Sequence, residues 1–407
     1  MINPRPYVDM LKAVELPNYR IFSDEEYASR LAKVRGSMAA QGIDVLLVSN
    51  TANWAWLTGY DTTMPSCYGV GIVFSNGELA VHTAELEAPC ALANSVVTDV
   101  RVYDWYDNRS MAEQLAGVLR DAGEAGKTIG VEMAYPDTFG PGAYDALSFL
   151  TLQRVIPESK FEDATQLIME HRMIKNAEEI AFMKKAGEIT GLGLDAALAA
   201  AAEGKTDQDM VAAGYEAMFA AGLELTSIDG MVMVGERAKI GPHMPFKRTT
   251  LKQGDSMYLE FTGTYNRYNA PSMRSGVIGT PSAGLQRLAD AAIHTLELLI
   301  ENIRPGRTGH DIAEAVKHGY DPVADEMWFH GAYGYGIGMG MQPTWCEAPV
   351  YIAPGIDIEL KPGMAFHLPQ CVFVPGQYGT GFSESVVVTE SGCEVLTPGR
   401  NRELVVR

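Results

Sequence analysis

Cysteine is scarce in this chain of 407 residues, which has five, scattered and without a CxxC pair. That spacing argues against a zinc knuckle and against a disulfide framework. The opening segment MINPRPYVDM also lacks a basic stretch followed by an apolar one, the pattern of a secretory leader. We therefore expect a reducing, cytoplasmic location.

Basic residues and long apolar runs are in short supply as well. Lys and Arg number 32 against 51 Asp and Glu, which gives a formal net charge of −19 and argues against nucleic acid and anionic membrane as partners. Apolar stretches such as DVLLVSN are far shorter than the roughly 20 residues needed to span a bilayer. With 47% hydrophobic and 20% charged residues, the composition is that of a folded protein, for whose length about two domains are expected.

Residues 1–163 mix helical and strand patterns. Residues 24–42 have helical spacing and end at Gly42, and GIDVLLVSN then has the composition of a strand. GVGIVFSNGELAVHT places an Asn-Gly turn between two apolar runs, which predicts a hairpin. A helix over 111–124 and a strand in KTIGVEM complete an α/β amino-terminal domain over 1–163.

Residues 164–407 begin with long helices and continue mainly with strands. AEEIAFMKKAGEITGLGLDAALAAAAEG contains two helical runs, and LQRLADAAIHTLELLIENI is a strongly amphipathic helix. Strand patterns occur in MVMVGE, DSMYLEFTGTYN, RSGVIG, MAFHLPQCVFV, SESVVVTE and EVLT. This order predicts an α+β carboxy-terminal domain over 164–407, with helices on one face of an antiparallel sheet.

Two acids interrupt apolar strand patterns, Glu260 in SMYLEFTG and Glu384 in FSESVVVT. Burying a carboxylate is costly unless it is paired or used. One interpretation is a buried ion pair, for example with Arg267 or Arg274. The other is a general base or nucleophile whose pKa is tuned by burial.

Three histidines have chemically suggestive surroundings: His243 precedes a strand in KIGPHMPF, His330 opens a glycine-rich run, and His367 lies within MAFHLPQ. A single histidine is more often a structural group, although its pKa near ~6.5 suits acid and base catalysis. The run GAYGYGIGMG lacks the lysine and the helical context of a nucleotide loop. Its alternate glycines predict a strand that another backbone or a ligand approaches closely.

Six ordered segments resemble the pita-bread family, which includes creatinase, aminopeptidase P, prolidase and methionine aminopeptidase. EHRMIKNAEEIAFMKKA is similar to the family's domain junction, which Arg172, Ile174, Lys175 and Glu179 match. GPHMP, KQGDSMYLEFTGTYNRYNAPSMRSG, GYGIGMG, LKPGMAFHLP and GFSESVVVTESG follow in the family's order. The resemblance covers essentially the whole chain and implies a creatinase-like amino-terminal domain, a pita-bread catalytic domain and a homodimer.

The peptidases of this family hold two metal ions with two Asp, one His and two Glu. The resemblance places these ligand positions on Glu260, Pro271, Ile337, Leu368 or Pro369, and Glu384. Since a dinuclear site needs several donors per ion, we expect no metal and no other cofactor. The alternative is a different alignment that recruits His330 or His367.

The family also has metal-free hydrolases, creatinase and ectoine hydrolase, which open C–N bonds of a guanidino compound and of a cyclic amidine. EFTGTYNRYNAPSMR, GYGIGMGMQPTWCE, GMAFHLP and WLTGYD resemble the ectoine branch, with departures at Asn269 and in TTMPSCYG. The resemblance implies a metal-independent hydrolase whose small-molecule substrate is a zwitterionic amidine, an ectoine-like cyclic amidine or a guanidino compound.

Within that reaction, Glu260 is the carboxylate that attacks directly or activates water. His243 is the general acid and base. We expect Glu384 to pair with the cationic amidinium, and His367 to support it or to hydrogen-bond the carboxylate. Arg274 either orients Glu260 or clamps a substrate carboxylate in a bidentate fork.

Aromatic residues are expected to shape the substrate pocket and exclude water, some of them contributed by the partner subunit. They are Trp54, Trp56, Tyr60, Tyr268, Tyr333 and Trp345. For the tryptophans and Tyr60, core packing and an aromatic wall for a small cation or zwitterion are equally compatible with the sequence.

Two other functions remain open at this point. The fold alone supports an Xaa-Pro aminopeptidase or prolidase-like metallopeptidase. A non-catalytic binding protein on the same scaffold is the third possibility, although such proteins usually carry charged tails that this sequence lacks.

Overall fold

The computed structural model describes residues 7–133, 144–397 and 402–407. Two compact units divide the chain, Met1–Arg172 and Met173–Arg407. The boundary lies later than the expected position 163, because Arg172 Nη1 donates to Asn53 Oδ1 at 2.6 Å and so belongs to the first unit.

The first unit alternates helices with strands. Its helices are α1 (Tyr7–Lys12), α2 (Asp24–Gln41), α3 (Thr51–Thr58), α4 (Ala88–Asn94), α5 (Met111–Asp121), α6 (Ala146–Val155) and α7 (Met169–Arg172), with a 3-10 turn over Glu85–Glu87. Its strands are β1 (Val45–Val48), β2 (Gly69–Phe74), β3 (Leu79–Thr83), β4 (Asp99–Val102), β5 (Thr128–Val131) and β6 (Lys160–Asp163).

These strands form, within the described residues, a six-stranded mixed sheet in the order β4-β3-β2-β1-β5-β6. The expected hairpin is β2–β3, while β5 runs parallel to both β1 and β6. Leu115 and Leu152, from the helices α5 and α6, pack with Ile129 of the sheet in one buried core. The α/β class expected for this unit is confirmed.

The second unit places long helices against a large sheet. Its helices are α8 (Ala177–Ala200), α9 (Asp207–Ala220), α10 (Ala283–Asn302) and α11 (Gly309–Val316), with 3-10 turns over Gly235–Lys239 and Lys317–Val323. Its strands are β7 (Met231–Val234), β8 (Ser256–Tyr265), β9 (Tyr268–Val277), β10 (Gly334–Met341), β11 (Thr344–Ile352), β12 (Ala365–His367), β13 (Gln370–Val374), β14 (Tyr378–Phe382), β15 (Ser385–Val388), β16 (Cys393–Val395) and β17 (Val405–Val406).

Within the described part of this unit, the main path of the sheet runs β16-β15-β12-β10-β9-β8-β7, and β13 pairs separately with β14. Helix α8 lies directly on the sheet: a Cβ on Gly263 of β8 would come 2.1 Å from the carbonyl oxygen of Ala186. The α+β class is confirmed.

One local expectation for this unit is wrong. The two helical runs expected after position 177 are a single helix, α8. Glycine lowers helix propensity but does not by itself end a helix. At Gly193 it also gives room for the side chain of Met218, which packs against it from α9.

The glycine run is the closely approached strand that its alternation predicted. On β10, a Cβ on Gly336 would lie 2.3 Å from the carbonyl oxygen of Glu347 in β11, and one on Gly338 would meet the Glu347 carboxylate. The neighbouring strand and its buried acid thus require glycine there. Among the helices of the described segments, none has the length and apolarity to cross a membrane.

Candidate active site

The long hairpin of β8 and β9 sorts the candidate residues onto two faces of the sheet. In its antiparallel register, Glu260 pairs with Met273, and Leu259 pairs with Arg274. Paired residues share a face, and successive residues alternate between faces. Glu260 and Arg274 therefore point to opposite sides.

Glu260 is buried, with 3% of its surface exposed. The basic side chain that approaches it among the described residues is the His367 imidazole, with Nδ1 3.9 Å from Glu260 Oε1, beyond hydrogen-bond distance. Within the described residues, its carboxylate has no hydrogen-bond partner. Desolvation by burial raises the pKa of Glu260 to about 8. Glu260 is therefore largely protonated near neutral pH, and the site lacks a counter-charge that would stabilise its ionised form.

His367 stands beside Glu260 in a buried hydrogen-bond chain. Its Nδ1 is 2.8 Å from the Tyr335 hydroxyl, and its Nε2 is 2.6 Å from Ser383 Oγ. The Tyr335 hydroxyl also accepts from Trp345 Nε1 at 3.0 Å. Desolvation, and then the charge of His330, lower the pKa of His367 to about 3. The imidazole is consequently neutral at physiological pH and acts by hydrogen bonding.

His243 lies on the loop that precedes β8. Desolvation lowers the pKa of His243, which keeps it in the neutral, proton-accepting form near neutral pH. Desolvation lowers the pKa of His330 to about 4, with a smaller contribution from the charge of His243, and His330 contributes in the same secondary way to the lowered pKa of His367. The His243 and His330 side chains are exposed, while the His367 imidazole approaches Glu260 to within 4 Å.

Glu384 and Arg274 meet on the other face. Glu384 Oε1 accepts from Arg274 Nη2 at 2.7 Å and from Arg402 Nε at 2.9 Å, and the Thr397 hydroxyl donates to Oε2. Arg274 Nη1 also donates to the carbonyl of Ser383 at 2.9 Å. This is the ion-pair interpretation raised by the sequence. The substrate roles expected of Glu384 and Arg274 do not fit it, because each charge is already neutralised.

Two of the expected pocket tyrosines have partners away from Glu260. The Tyr268 hydroxyl donates to Glu179 Oε1 of α8 at 2.6 Å. Tyr333 packs against Phe329, with ring centroids 5.0 Å apart, in the core formed with α10 and α11. Trp345, by contrast, donates to the Tyr335 hydroxyl, which in turn contacts His367 beside Glu260.

The aromatic residues predicted from the first unit pack inside that unit. Trp54 lies against Gly71, whose added Cβ would meet its ring at 2.2 Å. The guanidinium of Arg30 stacks 4.7 Å from the Trp56 ring, and the Tyr60 hydroxyl donates to Glu87 at 2.6 Å. Core packing thus accounts for these three side chains.

The residues at the family's metal positions do not fit a dinuclear metal centre. The side chains of Pro271, Ile337 and either Leu368 or Pro369 have no metal-binding atom, and the Glu384 oxygens are engaged by arginines and Thr397. The described residues contain no group of three or more His, Cys, Asp or Glu placed to hold a metal ion.

Two members of the site, Tyr335 and Ser383, escaped the sequence reasoning. Tyr335 had a signal: large side chains alternate with the glycines of β10, and Tyr335 pairs with His367 across β12. Ser383 had none, since its role depends on contact with β12, which no local pattern reveals.

Family comparisons cover both units. The Creatinase/Prolidase N-terminal domain matches residues 30–174, and Metallopeptidase family M24 matches residues 181–390. An ectoine hydrolase from Halomonas elongata is 31% identical over 403 residues, covering 92% of this chain and 96% of that protein.

Peptidases share the same architecture. An Xaa-Pro dipeptidase from Pyrococcus furiosus is 23% identical over 377 residues, covering 92% of this chain and 99% of that one. The crystal structure of an X-Pro aminopeptidase from Thermotoga maritima superimposes with a TM-score of 0.78 at 21% identity, over 93% of this chain and 99% of that one. At this identity, the structural likeness supports the pita-bread fold.

Proposed function

The chain belongs to Metallopeptidase family M24, and from that premise we propose that it is a metal-independent hydrolase of small amidines. The bond it opens is a non-peptide C–N bond. The substrate is a zwitterionic amidine, an ectoine-like cyclic amidine or a guanidino compound. We further propose that it works in the cytoplasm as a homodimer.

The observation that supports this proposal is the unpaired carboxyl of Glu260. A buried acid without a donor is unfavourable unless a ligand supplies the missing partner. An amidinium or guanidinium is a planar cation whose N–H groups match a carboxylate in a bidentate fork. Its binding would favour the charged form of Glu260 and so lower the pKa from about 8.

Hydrolysis then requires that water add its oxygen to the amidine carbon and a hydrogen to the leaving nitrogen. Glu260 either attacks the carbon itself or activates the water. His243, neutral near physiological pH, accepts and returns the proton. Tyr335 and Trp345 line the position of Glu260 and exclude bulk water, while His367 is held neutral by burial.

The residues at the family's metal-ligand positions and one relative support the metal-independent reaction. Proline, isoleucine and either leucine or proline at three ligand positions give no Lewis-acid site of the usual kind. The Halomonas elongata relative is an ectoine hydrolase by name, and the similarity extends over 92% of this chain.

The test is turnover under chelation. The purified protein is incubated with a chelator and ectoine-like amidines or guanidino acids, and the ring-opened or cleaved product is followed by NMR. We expect turnover that survives chelation and disappears in Glu260→Gln, while Glu390→Gln, at an exposed acid of the same unit, retains it. Absence of turnover across the panel would overturn the proposal.

An Xaa-Pro peptidase is the second candidate, favoured by the similarity to the Pyrococcus furiosus dipeptidase. It predicts cleavage of Xaa-Pro dipeptides that depends on added manganese or cobalt and stops under chelation. The same chelated assay therefore separates the two activities.

A further inference from the structure

The loop over 241–249, which carries His243, is held mainly by side chains, with a backbone hydrogen bond from the Asp207 N–H to the Thr249 carbonyl at 3.1 Å at its far end. It joins the 3-10 turn Gly235–Lys239 to the approach of β8, and it contains neither helix nor strand. A segment without a helix or strand ladder depends on side-chain anchors for its position. The placement of His243 thus depends on these anchors.

The far end of the loop is fastened by two charged residues. Asp207, fully buried at the start of α9, accepts from the backbone N–H of Lys247 at 2.7 Å and of Thr249 at 2.9 Å. Arg237 pairs with Asp207 and donates to the carbonyl of Pro245 at 3.1 Å. These contacts fix the part of the loop that follows His243.

The near end is fastened by a tyrosine of the sheet. Tyr258 donates its hydroxyl proton to the carbonyl of Gly241 at 2.7 Å, two residues before His243. Its fully buried ring meets the edge of Phe373 at 5.7 Å. Desolvation raises the pKa of Tyr258 well above its usual value, so the phenol keeps its proton.

Tyr258 and Glu260 share one strand and, being two residues apart, one face of it. One hydrogen bond and two residues of β8 therefore connect the His243 loop to the reacting carboxylate. A shift of about 1 Å in a catalytic group is enough to cost on the order of a hundredfold in rate.

We propose that Tyr258 is a positioning residue, whose hydroxyl sets where His243 stands relative to Glu260. This inference rests on the proposed function for the roles of His243 and Glu260. The contact itself, and the fixing of the loop by it, do not depend on the identity of the substrate.

The test is Tyr258→Phe, which removes one oxygen and keeps the ring. Tyr320→Phe is the matched control, because Tyr320 is also buried and donates to Gln370 Oε1 at 2.7 Å. Lys247 and Arg248 are exposed tryptic sites in the loop, so cleavage there reports its release. We expect cleavage about fivefold faster in Tyr258→Phe than in the control, the factor that one neutral hydrogen bond supplies.

Kinetics give the second readout, on whichever amidine the wild type turns over. We expect kcat to fall about tenfold to a hundredfold in Tyr258→Phe with KM changed by less than about threefold, because binding by Glu260 is untouched. The pH limb that reports His243 should shift in this variant and not in Tyr320→Phe.

The outcomes separate the two proposals. Loop cleavage and kcat both equal to the control would overturn the role of Tyr258 and leave the hydrolase intact. A wild type inactive on all amidines would overturn the proposed function, and faster loop cleavage in Tyr258→Phe would still support the anchor. A fall in kcat without faster loop cleavage would overturn the positioning role of Tyr258, because the loop would then be held in place without its hydroxyl.

Discussion

Glu260 and Glu384 are two buried acids of one unit, and they differ in what surrounds their carboxylates. Glu384 is fully buried and accepts from two arginines and a threonine. Glu260 is 3% exposed and, among the described residues, has only a neutral imidazole at 3.9 Å. Burial alone therefore does not distinguish a structural acid from a reactive one; the partners do.

The cost of burial is met differently at the two positions. At Glu384, neutralising charges and hydrogen bonds offset the loss of water, so the acid is part of the architecture. At Glu260, the desolvation is uncompensated and raises the pKa to about 8. A cationic ligand would stabilise only the Glu260 site, and four measurements test this difference.

The largest effect is expected from Glu260→Gln, which keeps the shape and removes the charge. We expect turnover of the amidine to fall by about a thousandfold or more, because neither nucleophilic attack nor base catalysis survives. The free energy of unfolding should stay level or rise, since no ion pair is lost. Activity near that of the wild type in steady-state assays would refute the assignment.

The opposite pattern is expected from Glu384→Gln. This change leaves Arg274 and Arg402 without their shared counter-charge, and breaking a buried pair costs about 3–5 kcal/mol. Urea denaturation of both glutamine variants side by side measures the difference. Equal free energies of unfolding for the two variants would mean that the hydrogen bonds and ion pairs of Glu384 do not stabilise the fold.

The third effect is on the pH dependence of stability. Because the pKa of Glu260 is about 8 in the folded state and near 4.5 when unfolded, the folded protein holds the extra proton between those values. Its stability should therefore fall as pH rises from about 4.5 to 8, by about 5 kcal/mol at about 1.36 kcal/mol per pKa unit, and level off above. In Glu260→Gln this component should vanish. If the free energies of unfolding of the wild type and of Glu260→Gln change in parallel from pH 5 to pH 8, the pKa of Glu260 is not raised.

Local patterns predicted both acids, and non-local contacts separated them. Each glutamate interrupts an apolar run, and that signal was sufficient to expect a buried carboxylate. The sequence offered Arg267 and Arg274 as possible ion-pair partners of these acids. The register of β8 with β9 puts Arg274 opposite Leu259, and so on the face away from Glu260, which no local pattern shows.

The same limit applies to the rest of the fold and site. The helix α2, its end at Gly42 with φ 68°, and the β2–β3 hairpin follow from nearby residues, and they were confirmed. The Tyr335 and Ser383 contacts to His367 join three separate strand regions. The alternation on β10 marks Tyr335 as a large side chain, but no local pattern identifies His367 as the partner of either residue.

The smallest effect concerns Ser383, which lies between the two acids. Its Oγ contacts His367 on the Glu260 side, while its carbonyl accepts from Arg274 and from Ser272 Oγ on the Glu384 side. Ser383→Ala removes only the first contact, so kcat should fall up to about tenfold and stability by about 1–2 kcal/mol.

Ser272→Ala is the comparison variant on the Glu384 side. It removes the bond to the Ser383 carbonyl and the one that Ser272 Oγ accepts from Arg274 Nη1 at 2.9 Å, so stability should fall by at least as much while kcat is unchanged. The Ser383 hydroxyl lies on the Glu260 side of the sheet and the Ser272 hydroxyl on the Glu384 side. An equal loss of kcat in the two alanine variants would show that the two sides are coupled. The contrast between Glu260 and Glu384 would then be one of degree.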